Sequence, residues 1–340
     1  MSQPEVPSNN RLMSRDNWLS LYVPAIILAL GTGIALPALP IYAKSFNVSF
    51  GVASMVVVAS GLGSLVAGLP TGLLMDRIGR RKIILAGPIA AAITSFLVVT
   101  AHSFPELLAY RFLGGMATQM WMLGRLAIIA DSSGDSQRGR QITGMHAMDS
   151  AGRIAGPLVG GLIAAAWDIR IPFLVHGLLC LVSVIPSFKL LKETAPIKVA
   201  GARQGGIRGI RAALRDYPTW LLTMPILTFL GAQFVGSVTR GALNNGTLHL
   251  YAVYTYDADA VTIGFLATAA SVLSIPIMVG SGAIMDRFGR KATIVPGFSL
   301  LAGTLAFVAL TAHNAWPFSI YIVGFLLVVA ANPTSAGFSG

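Results

Sequence analysis

A charged phrase occurs twice in this chain, and the two copies are far apart. Residues 72–82 read GLLMDRIGRRK and residues 282–291 read GAIMDRFGRK, so Asp76 and Asp286 stand at an offset of 210 residues. Each copy follows a long apolar stretch and precedes another one. A short basic loop between long apolar segments is typical of a turn between membrane-spanning helices. The repeat therefore predicts two related halves in a protein that crosses a membrane several times.

The low content of charged residues indicates the same class of protein. Charged side chains make up 11% of the chain and hydrophobic ones 54%, whereas soluble domains carry about 25% charged residues. The chain is also rich in Gly (37) and Pro (18), which membrane helices tolerate because neighbouring helices satisfy the freed backbone groups. The sequence predicts an all-α, polytopic membrane protein.

Ten apolar stretches are long enough to cross a bilayer, whose core of about 30 Å needs roughly 20 helical residues. These predicted spans lie near residues 20–43, 52–75, 83–101, 106–130, 142–166, 171–190, 226–252, 262–285, 292–312 and 316–338. They divide the chain into a cytoplasmic tail (1–19), a six-helix bundle (20–190), a basic cytoplasmic linker (191–218) and an incomplete four-helix bundle (219–340). The linker carries three Arg at helical spacing, and both an amphipathic helix on the anionic leaflet and a solvated linker fit that pattern.

The repeat extends well beyond the charged loop. LPIYA at 39–43 returns as LHLYA at 248–252, and TAH at 100–102 returns at 311–313. Parallel repeats of this kind are a transporter architecture. The counterpart of Asp131 falls just beyond residue 340, and spans five and six have no equivalents in the second half. We therefore expect two parallel six-helix repeats whose last two helices are missing, as in a truncated chain.

The net charge of +11 is explained by topology and does not argue for nucleic-acid binding. With the N-terminus in the cytoplasm, 18 of the 24 Lys and Arg residues lie in predicted cytoplasmic segments, and only Lys44 and Arg170 lie on the opposite side. This asymmetry is the positive-inside bias of membrane proteins. The first 17 residues lack the apolar core of a signal peptide. We expect a multi-pass protein of the inner (plasma) membrane with a cytoplasmic N-terminus.

Four motifs resemble one family when they are taken in order. GLLMDRIGRRK resembles the loop between helices 2 and 3 of the major facilitator superfamily, which that family repeats between helices 8 and 9. YRFLGG at 110–115 is similar to its helix 4 motif, although Gly114 stands where many members have Gln. GRIAGPLVGG at 152–161 and PALPIYA at 37–43 resemble helix 5 and the end of helix 1 in the drug:proton antiporter branch.

The resemblance implies a fold and an activity. The fold would be that of the major facilitator superfamily, here with about ten transmembrane helices. The activity would be the export of a small organic molecule by alternating access, coupled to protons, with no cofactor or metal. Three other readings are a facilitator or symporter for an anionic metabolite, an inactive truncated product, and a membrane enzyme. The loops contain no metal-binding cluster or nucleophile–base pair that would support the enzyme.

The doubled loop is a candidate conformational latch. Asp76 and Arg80 stand at i and i+4 and can pair, and Gly72 would let another helix approach closely. The resemblance implies that Asp76, Arg80 and Asp131 form a charge relay that closes the cytoplasmic side in one state; the alternative is an orientation signal without a switching role. The full candidate set is Gly72, Asp76, Arg77, Gly79, Arg80, Asp131, Asp286, Arg287, Gly289 and Arg290. The second copy lacks its third partner, so that latch should be incomplete.

Five charged residues lie inside predicted spans, where each costs about 2.5–3.5 kcal/mol and should face the bundle interior. Arg111 and Arg125 share one face of span four with Thr118 and Met122, and His146, Asp149 and Arg153 form one stripe of span five. Arg125 and Asp149 lie at similar depth, which predicts a salt bridge between them. Asp149 is the only acid well inside a span, so the proton-coupling candidates are Arg111, His146, Asp149 and Arg153. Span one carries no acid, unlike that of many drug antiporters.

The substrate cavity is predicted from the remaining charged residue, Arg240, near the middle of span seven. In the family, helices 1, 4, 7 and 10 line this cavity, so Arg111, Arg125 and Arg240 would converge there and favour an anionic or carboxylate-bearing substrate. The alternative places Arg240 at the rim, snorkelling to water. The cavity candidates are Arg111, Thr118, Met122, Arg125, Arg240, Asn244 and Asn245.

A strip of small residues runs along span five. Gly152, Gly156 and Gly160 recur every four residues, and Pro157 and Gly161 lie beside them. Small residues let membrane helices approach closely. The resemblance assigns the strip to the interface at which the two halves rock.

Overall fold

The structure is a computed structural model that describes residues 18–132, 135–191, 246–288 and 317–335, with a few helical residues at 224 and between 295 and 310. Within these ranges every regular element is a helix. A π-helical turn at Trp18–Tyr22 leads into the first helix, which has two segments. The helices are α1a (Val23–Ala35), α1b (Ala38–Lys44), α2 (Phe50–Ile78), α3 (Arg80–Val99), α4 (Phe104–Ser132), α5 (Asp135–Ala166), α6 (Ile171–Leu190), α7 (Thr247–Tyr256), α8 (Ala260–Phe288) and α9 (Phe318–Ser335).

Prolines divide α1 into its two segments. Pro37 and Pro40 lack the backbone N–H that would continue the helical ladder, and their rings clash with the preceding turn. The helix therefore stops at Ala35, and Leu36 N–H donates to Gly33 O at 3.2 Å in a tighter turn. A new helix starts at Ala38, with Pro37 immediately before it.

The helices match the predicted spans wherever the structure describes them. Helices α1 to α6 correspond to spans one to six, α7 and α8 to the end of span seven and to span eight, and α9 to span ten. In the described part, six helices are long and apolar enough to cross a membrane, and α9 contributes a shorter apolar segment. The linker and most of spans seven and nine lie outside the described residues.

The helices alternate in direction, which gives the bundle two ends. One end carries Lys44, Arg170 and Asp257, and we call it the Lys44 end; the other carries Asp76, Arg80 and Asp131, and we call it the Asp76 end. Helix α4 packs against α2 and α3, while α6 packs against α1a and α3. Helix α5 packs against α1a on one side and α8 on the other, so it joins the first half to the second.

The close contact between α2 and α4 depends on two glycines. A Cβ added at Gly63 would collide with the backbone carbonyl of Phe112, and one added at Gly115 would collide with that of Ser60. The helices therefore touch backbone to backbone, and Ser64 Oγ donates to Gly115 O at 3.0 Å across the contact. Gly115 belongs to the YRFLGG motif, so one residue of this motif serves the packing of α4 on α2.

Among the described residues, three apolar clusters lie inside the bundle. At the Lys44 end of the first half, Tyr42 is buried and its hydroxyl donates to the carbonyls of Val98 and Ala101 at 3.0 and 3.1 Å. At the Asp76 end, a second cluster packs Trp121 and Ile128 against Tyr22 and Ile84. The third cluster joins α7, α8 and α9 and includes Ile41 from the first half.

Candidate functional site

Arg125 and Asp149 form a salt bridge in the interior of the first half, as the sequence predicted. The two guanidinium NH groups of Arg125 donate to the two carboxylate oxygens of Asp149 at 2.9 and 2.7 Å. The guanidinium also lies over the Trp121 ring, 5.3 Å from its centroid. Only 2% of Arg125 is exposed, whereas Asp149 is half-buried. The sequence had suggested that Arg125 adds a positive charge to the cavity. In the structure Asp149 neutralises that charge.

Arg153 lies one turn after Asp149 and is exposed. Residues advance about 100° each around a helix. The exposed apolar residues Ala155, Val159 and Leu162 lie about 180–240° around α5 from Arg153, on its lipid-facing side. The contacts with α1a, at Gly152 and Gly156, and with α8, at Pro157, flank Arg153 instead. Arg153 therefore faces the space between α1a and α8, inside the bundle.

The cavity face of α4 carries the other predicted residues. Thr118 is exposed, and its hydroxyl donates to Gly114 O of its own helix at 2.9 Å. Met122 and Arg111 are half-buried, and among the described residues the buried Nε of Arg111 has no hydrogen-bond partner. Since α2 and α3 pack on the two flanks of α4, this face is turned toward the centre of the first half.

A hydrogen bond between α3 and α6 was not predicted from the sequence. Ser95 Oγ lies 2.8 Å from His176 Nδ1, and a Cβ added at Gly31 would meet the His176 ring. The His176 side chain thus fills the space that Gly31 leaves in α1a. The sequence does not predict this contact, because Ser95 and His176 are 81 residues apart and no motif joins them.

The loop between α2 and α3 brings the latch candidates together at the Asp76 end. Arg80 forms an ion pair with Asp131 at the end of α4. Asp76 and Arg80 line one open groove of about 320 Å³, together with Gly68, Gly72, Met75 and Ala127. Asp76, Arg80 and Asp131 all belong to the first half, so a latch between the halves would need a partner from the second half in this groove.

One detail of the predicted latch is wrong, and a second stays untested. Helix α2 ends at Ile78 because Gly79 adopts φ 96° and ψ 159°, and Arg80 begins the next helix. The i, i+4 geometry expected for Asp76 and Arg80 in one continuous helix therefore does not apply. No described atom lies within 4 Å of a Cβ placed at Gly72, so the close approach expected there stays a prediction. Among the described contacts of α2, Gly63 is a glycine that brings a neighbouring helix close.

Several predicted residues lie outside what the structure describes. These are Arg240, Asn244, Asn245, Gly289 and Arg290, and the side chains of His146 and Asp286. Arg287 is described, and its guanidinium lies 5.3 Å from the centroid of the neighbouring Phe288 ring. The second copy of the latch therefore stays a prediction.

The small-residue strip of α5 packs within the first half. A Cβ at Gly152 would meet Ile26 O and Ala29 of α1a, one at Gly156 would meet Gly33 Cα at 2.8 Å, and one at Gly160 would meet Ile34. Contact with the second half is made by the adjacent face, where Gly161 touches Ala260 and the Pro157 carbonyl touches Gly264. The resemblance had placed Gly152, Gly156 and Gly160 at the interface between the halves, but these glycines pack against α1a of the same half. The contact with the second half is made by the neighbouring Pro157 and Gly161.

Ion pairing also joins the two halves at the Lys44 end. Lys44 Nζ lies 2.5 Å from Asp257 Oδ1 and donates to Val253 O at 2.9 Å. In the sequence, Lys44 indicates only the orientation of the chain in the membrane. Within the described residues, no group of three His, Cys, Asp or Glu side chains could hold a metal ion.

Comparisons with known proteins agree with the motifs. A family model described as Major Facilitator Superfamily matches residues 21–339. The quinolone resistance protein NorA of Staphylococcus aureus strain COL is 30% identical over 314 residues, which cover 91% of this chain and 76% of that protein. The class B tetracycline resistance protein of Escherichia coli is 25% identical over 88% of this chain and 74% of its own length.

Solved structures share the architecture. The D-xylose-proton symporter matches with a TM-score of 0.69 and 18% identity over 94% of this chain and 80% of its own. The human organic anion transporter MFSD10 matches with a TM-score of 0.63 and 18% identity over 96% of this chain and 87% of its own. At this identity the likeness concerns the fold alone. The predicted fold is confirmed.

Proposed function

The chain belongs to the major facilitator superfamily, and from this premise we propose that it exports a small organic molecule across the plasma membrane in exchange for protons, by alternating access. Its relatives in Staphylococcus aureus and Escherichia coli are named for resistance to quinolones and tetracycline. Resistance proteins of this family support efflux as the direction. The excess of basic residues in the loops at the Asp76 end supports a cytoplasmic N-terminus.

The Arg125–Asp149 pair is the observation that carries proton coupling. A carboxylate inside a membrane bundle is held as an anion when a guanidinium binds both of its oxygens. If a movement of α8 past α5 shifts Asp149 away from Arg125, the carboxylate loses that stabilisation and takes up a proton. Asp149 is suited to this because it is half-buried and sits on the helix that joins the halves. Arg153, one turn away on the cavity side, would become its alternative partner.

The cavity favours a substrate with an anionic group. Arg125 is neutralised by Asp149, so the positive charge available to a substrate comes from Arg153, which is exposed inside the bundle, and from Arg111, whose Nε is unpaired among the described residues. Arg240 would add a third charge if it lies near the middle of span seven. A positively charged cavity attracts anions and repels lipophilic cations.

Proteoliposomes with a pH-sensitive dye inside test both parts of the proposal. Substrate-driven proton flux should be abolished in Asp149→Asn, while Asp168→Asn, which neutralises an exposed loop carboxylate, should keep it. Anionic test compounds should drive more flux than cationic ones. Equal flux in Asp149→Asn and wild type would reject the proton carrier, and a clear preference for cations would reject the anionic substrate.

The same liposome assay distinguishes the proposed antiporter from a facilitator and from a symporter. A facilitator would exchange labelled substrate without any proton flux, and a symporter would move protons and substrate in the same direction. A chain without transport activity would do neither. The ion pair of Arg125 and Asp149 supports proton coupling over the facilitator, because a carboxylate inside the membrane bundle is a group that can carry a proton across it.

A further inference from the structure

Lys44 is the centre of a small set of polar contacts between the two halves. It is the last residue of α1b, and all three of its partners lie in α7 or directly after it. Its Nζ donates to Val253 O at 2.9 Å, lies 2.5 Å from Asp257 Oδ1 and stands 5.6 Å from the centroid of the Tyr254 ring. One side chain of the first half thus binds the second half through a carbonyl, a carboxylate and an aromatic face.

Tyr254 makes the reciprocal contact. Its hydroxyl donates to Val48 O at 2.9 Å, in the loop that follows α1b. The Phe50 ring, at the start of α2, stands edge-on to the Tyr251 and Tyr254 rings, at centroid distances of 6.2 and 5.9 Å. Helix α7 therefore contacts the first half at Lys44, in the loop that follows it and at the start of α2.

The position of these contacts follows from the internal repeat. The alignment of LPIYA with LHLYA pairs Ala43 with Ala252, so Lys44 and Val253 are equivalent positions in the two halves. Equivalent residues of two symmetry-related units meet only near the axis that relates the units. The repeats of such transporters are related by an axis along the membrane normal. Lys44 and Val253 therefore meet on that axis, at one end of the transport pathway.

Burial along α8 places the closed end of the molecule at the same level. At the Lys44 end Ala260, Ile263, Gly264 and Ala267 are buried, whereas every described residue from Val272 to Phe288 is exposed or half-buried. Helix α8 also contacts α5 in its half nearer the Lys44 end, where Leu158 N–H donates to Thr268 Oγ1 at 3.1 Å. The described contacts between the halves are thus concentrated at the Lys44 end.

We propose that Lys44, Asp257 and Tyr254 form a lock that closes the pathway at the Lys44 end and opens once in each transport cycle. The closing of this end follows from the contacts, and only its opening in a cycle rests on the proposed function. The lock is reversible because it lies at the surface: Asp257 is 87% exposed. Water can replace Asp257 as a partner of Lys44 at little cost in free energy, whereas the charge-assisted hydrogen bond to Val253 O is partly buried and is the contact that holds the end closed.

Accessibility of the cavity from each side of the membrane tests the lock. The reporter is Thr118→Cys on the cavity face of α4, in a chain whose buried Cys180 is replaced by Ala. A membrane-impermeant maleimide is applied to intact cells and to inverted vesicles. Labelling from the Lys44 side should be slow, and Lys44→Gln should speed it about tenfold, the effect of losing one charge-assisted hydrogen bond. Tyr254→Phe should speed it less, because only the hydroxyl is lost.

Matched variants separate the lock from a general loss of structure. Arg170→Gln removes the other basic residue at this end, which lies over Tyr42 within the first half, and should leave the rate unchanged. Lys44→Arg keeps the charge and should stay close to the unsubstituted rate. Equal labelling in Lys44→Gln and its parent, or an equal rise in Arg170→Gln, would overturn the lock. Labelling does not need transport, so a lock without proton flux would count against the proposed function alone.

Discussion

Arg125 illustrates how a charged residue is made tolerable inside a membrane bundle. Its guanidinium binds both oxygens of Asp149 and stacks on the Trp121 ring, so its charge and its flat faces are both used. Desolvation of two ions is costly, and the attraction between them offsets this cost only when the geometry is good. The same pair can therefore be essential for stability and available for coupling, and a measurement must separate the two roles.

A double-mutant cycle on Arg125 and Asp149 measures the stabilising role. Arg125→Gln leaves a half-buried carboxylate without its cation, and we expect a loss of about 3–5 kcal/mol in the free energy of unfolding. The double variant with Asp149→Asn should lose less than the two single losses together, because no unpaired charge is left. Arg153→Gln, at the exposed arginine one turn away, should change stability by less than about 0.5 kcal/mol. Thermal unfolding in detergent is the measurement, and additive losses would contradict the coupling.

Among the helices, α5 has three faces with three tasks. One face carries Gly152, Gly156 and Gly160 against α1a, and the next carries Pro157 and Gly161 against α8. The face between them carries Asp149 and Arg153 toward the interior. A movement of α8 against α5 would therefore pass directly beside the charged stripe, while the contact with α1a keeps α5 in the first half.

The contact between α5 and α1a depends on the absence of side chains. Gly156 faces Gly33, and a Cβ on either would lie within about 3 Å of the other backbone. Gly156→Ala should therefore separate the helices and cost about 1–3 kcal/mol. Gly61→Ala in α2 is the matched control, because no described atom lies within 4 Å of its new Cβ, and it should be neutral or slightly stabilising. Equal thermal stability of the two variants would show that the glycine contact is not tight.

At the scale of the whole molecule, what the sequence could predict depended on the kind of contact. The apolar stretches predicted the spans, and the similar depth of Arg125 and Asp149 in spans four and five predicted their salt bridge. The spacing of Asp76 and Arg80 wrongly predicted a pair within one helix, because the positive φ of Gly79 places the two residues in different helices. No pattern in the sequence predicts the contact of Lys44 with Asp257, because only the packing of the two halves brings them together. Their equivalence through the repeat was visible, but that they touch was not.

The two ends of the molecule should be coupled, because a rocking transporter closes one end when it opens the other. Lys44→Gln weakens the closed state of the Lys44 end. If the latch acts as the resemblance implies, Asp131→Asn, which removes the carboxylate of the Arg80 ion pair, should weaken the closed state of the Asp76 end. Labelling of Thr118→Cys from the Lys44 side should thus rise in the first variant and fall in the second.

In the double variant the two effects should cancel, since the sites lie at opposite ends of the bundle and such effects add. The labelling rate should then return to within about threefold of the unsubstituted chain, which corresponds to less than about 0.7 kcal/mol. If Arg80 and Asp131 serve only to stabilise the first half, Asp131→Asn will lower the unfolding temperature without changing the labelling rate. The double variant would then label as fast as Lys44→Gln alone, and the loop at Asp76 would be a structural joint with no part in the latch.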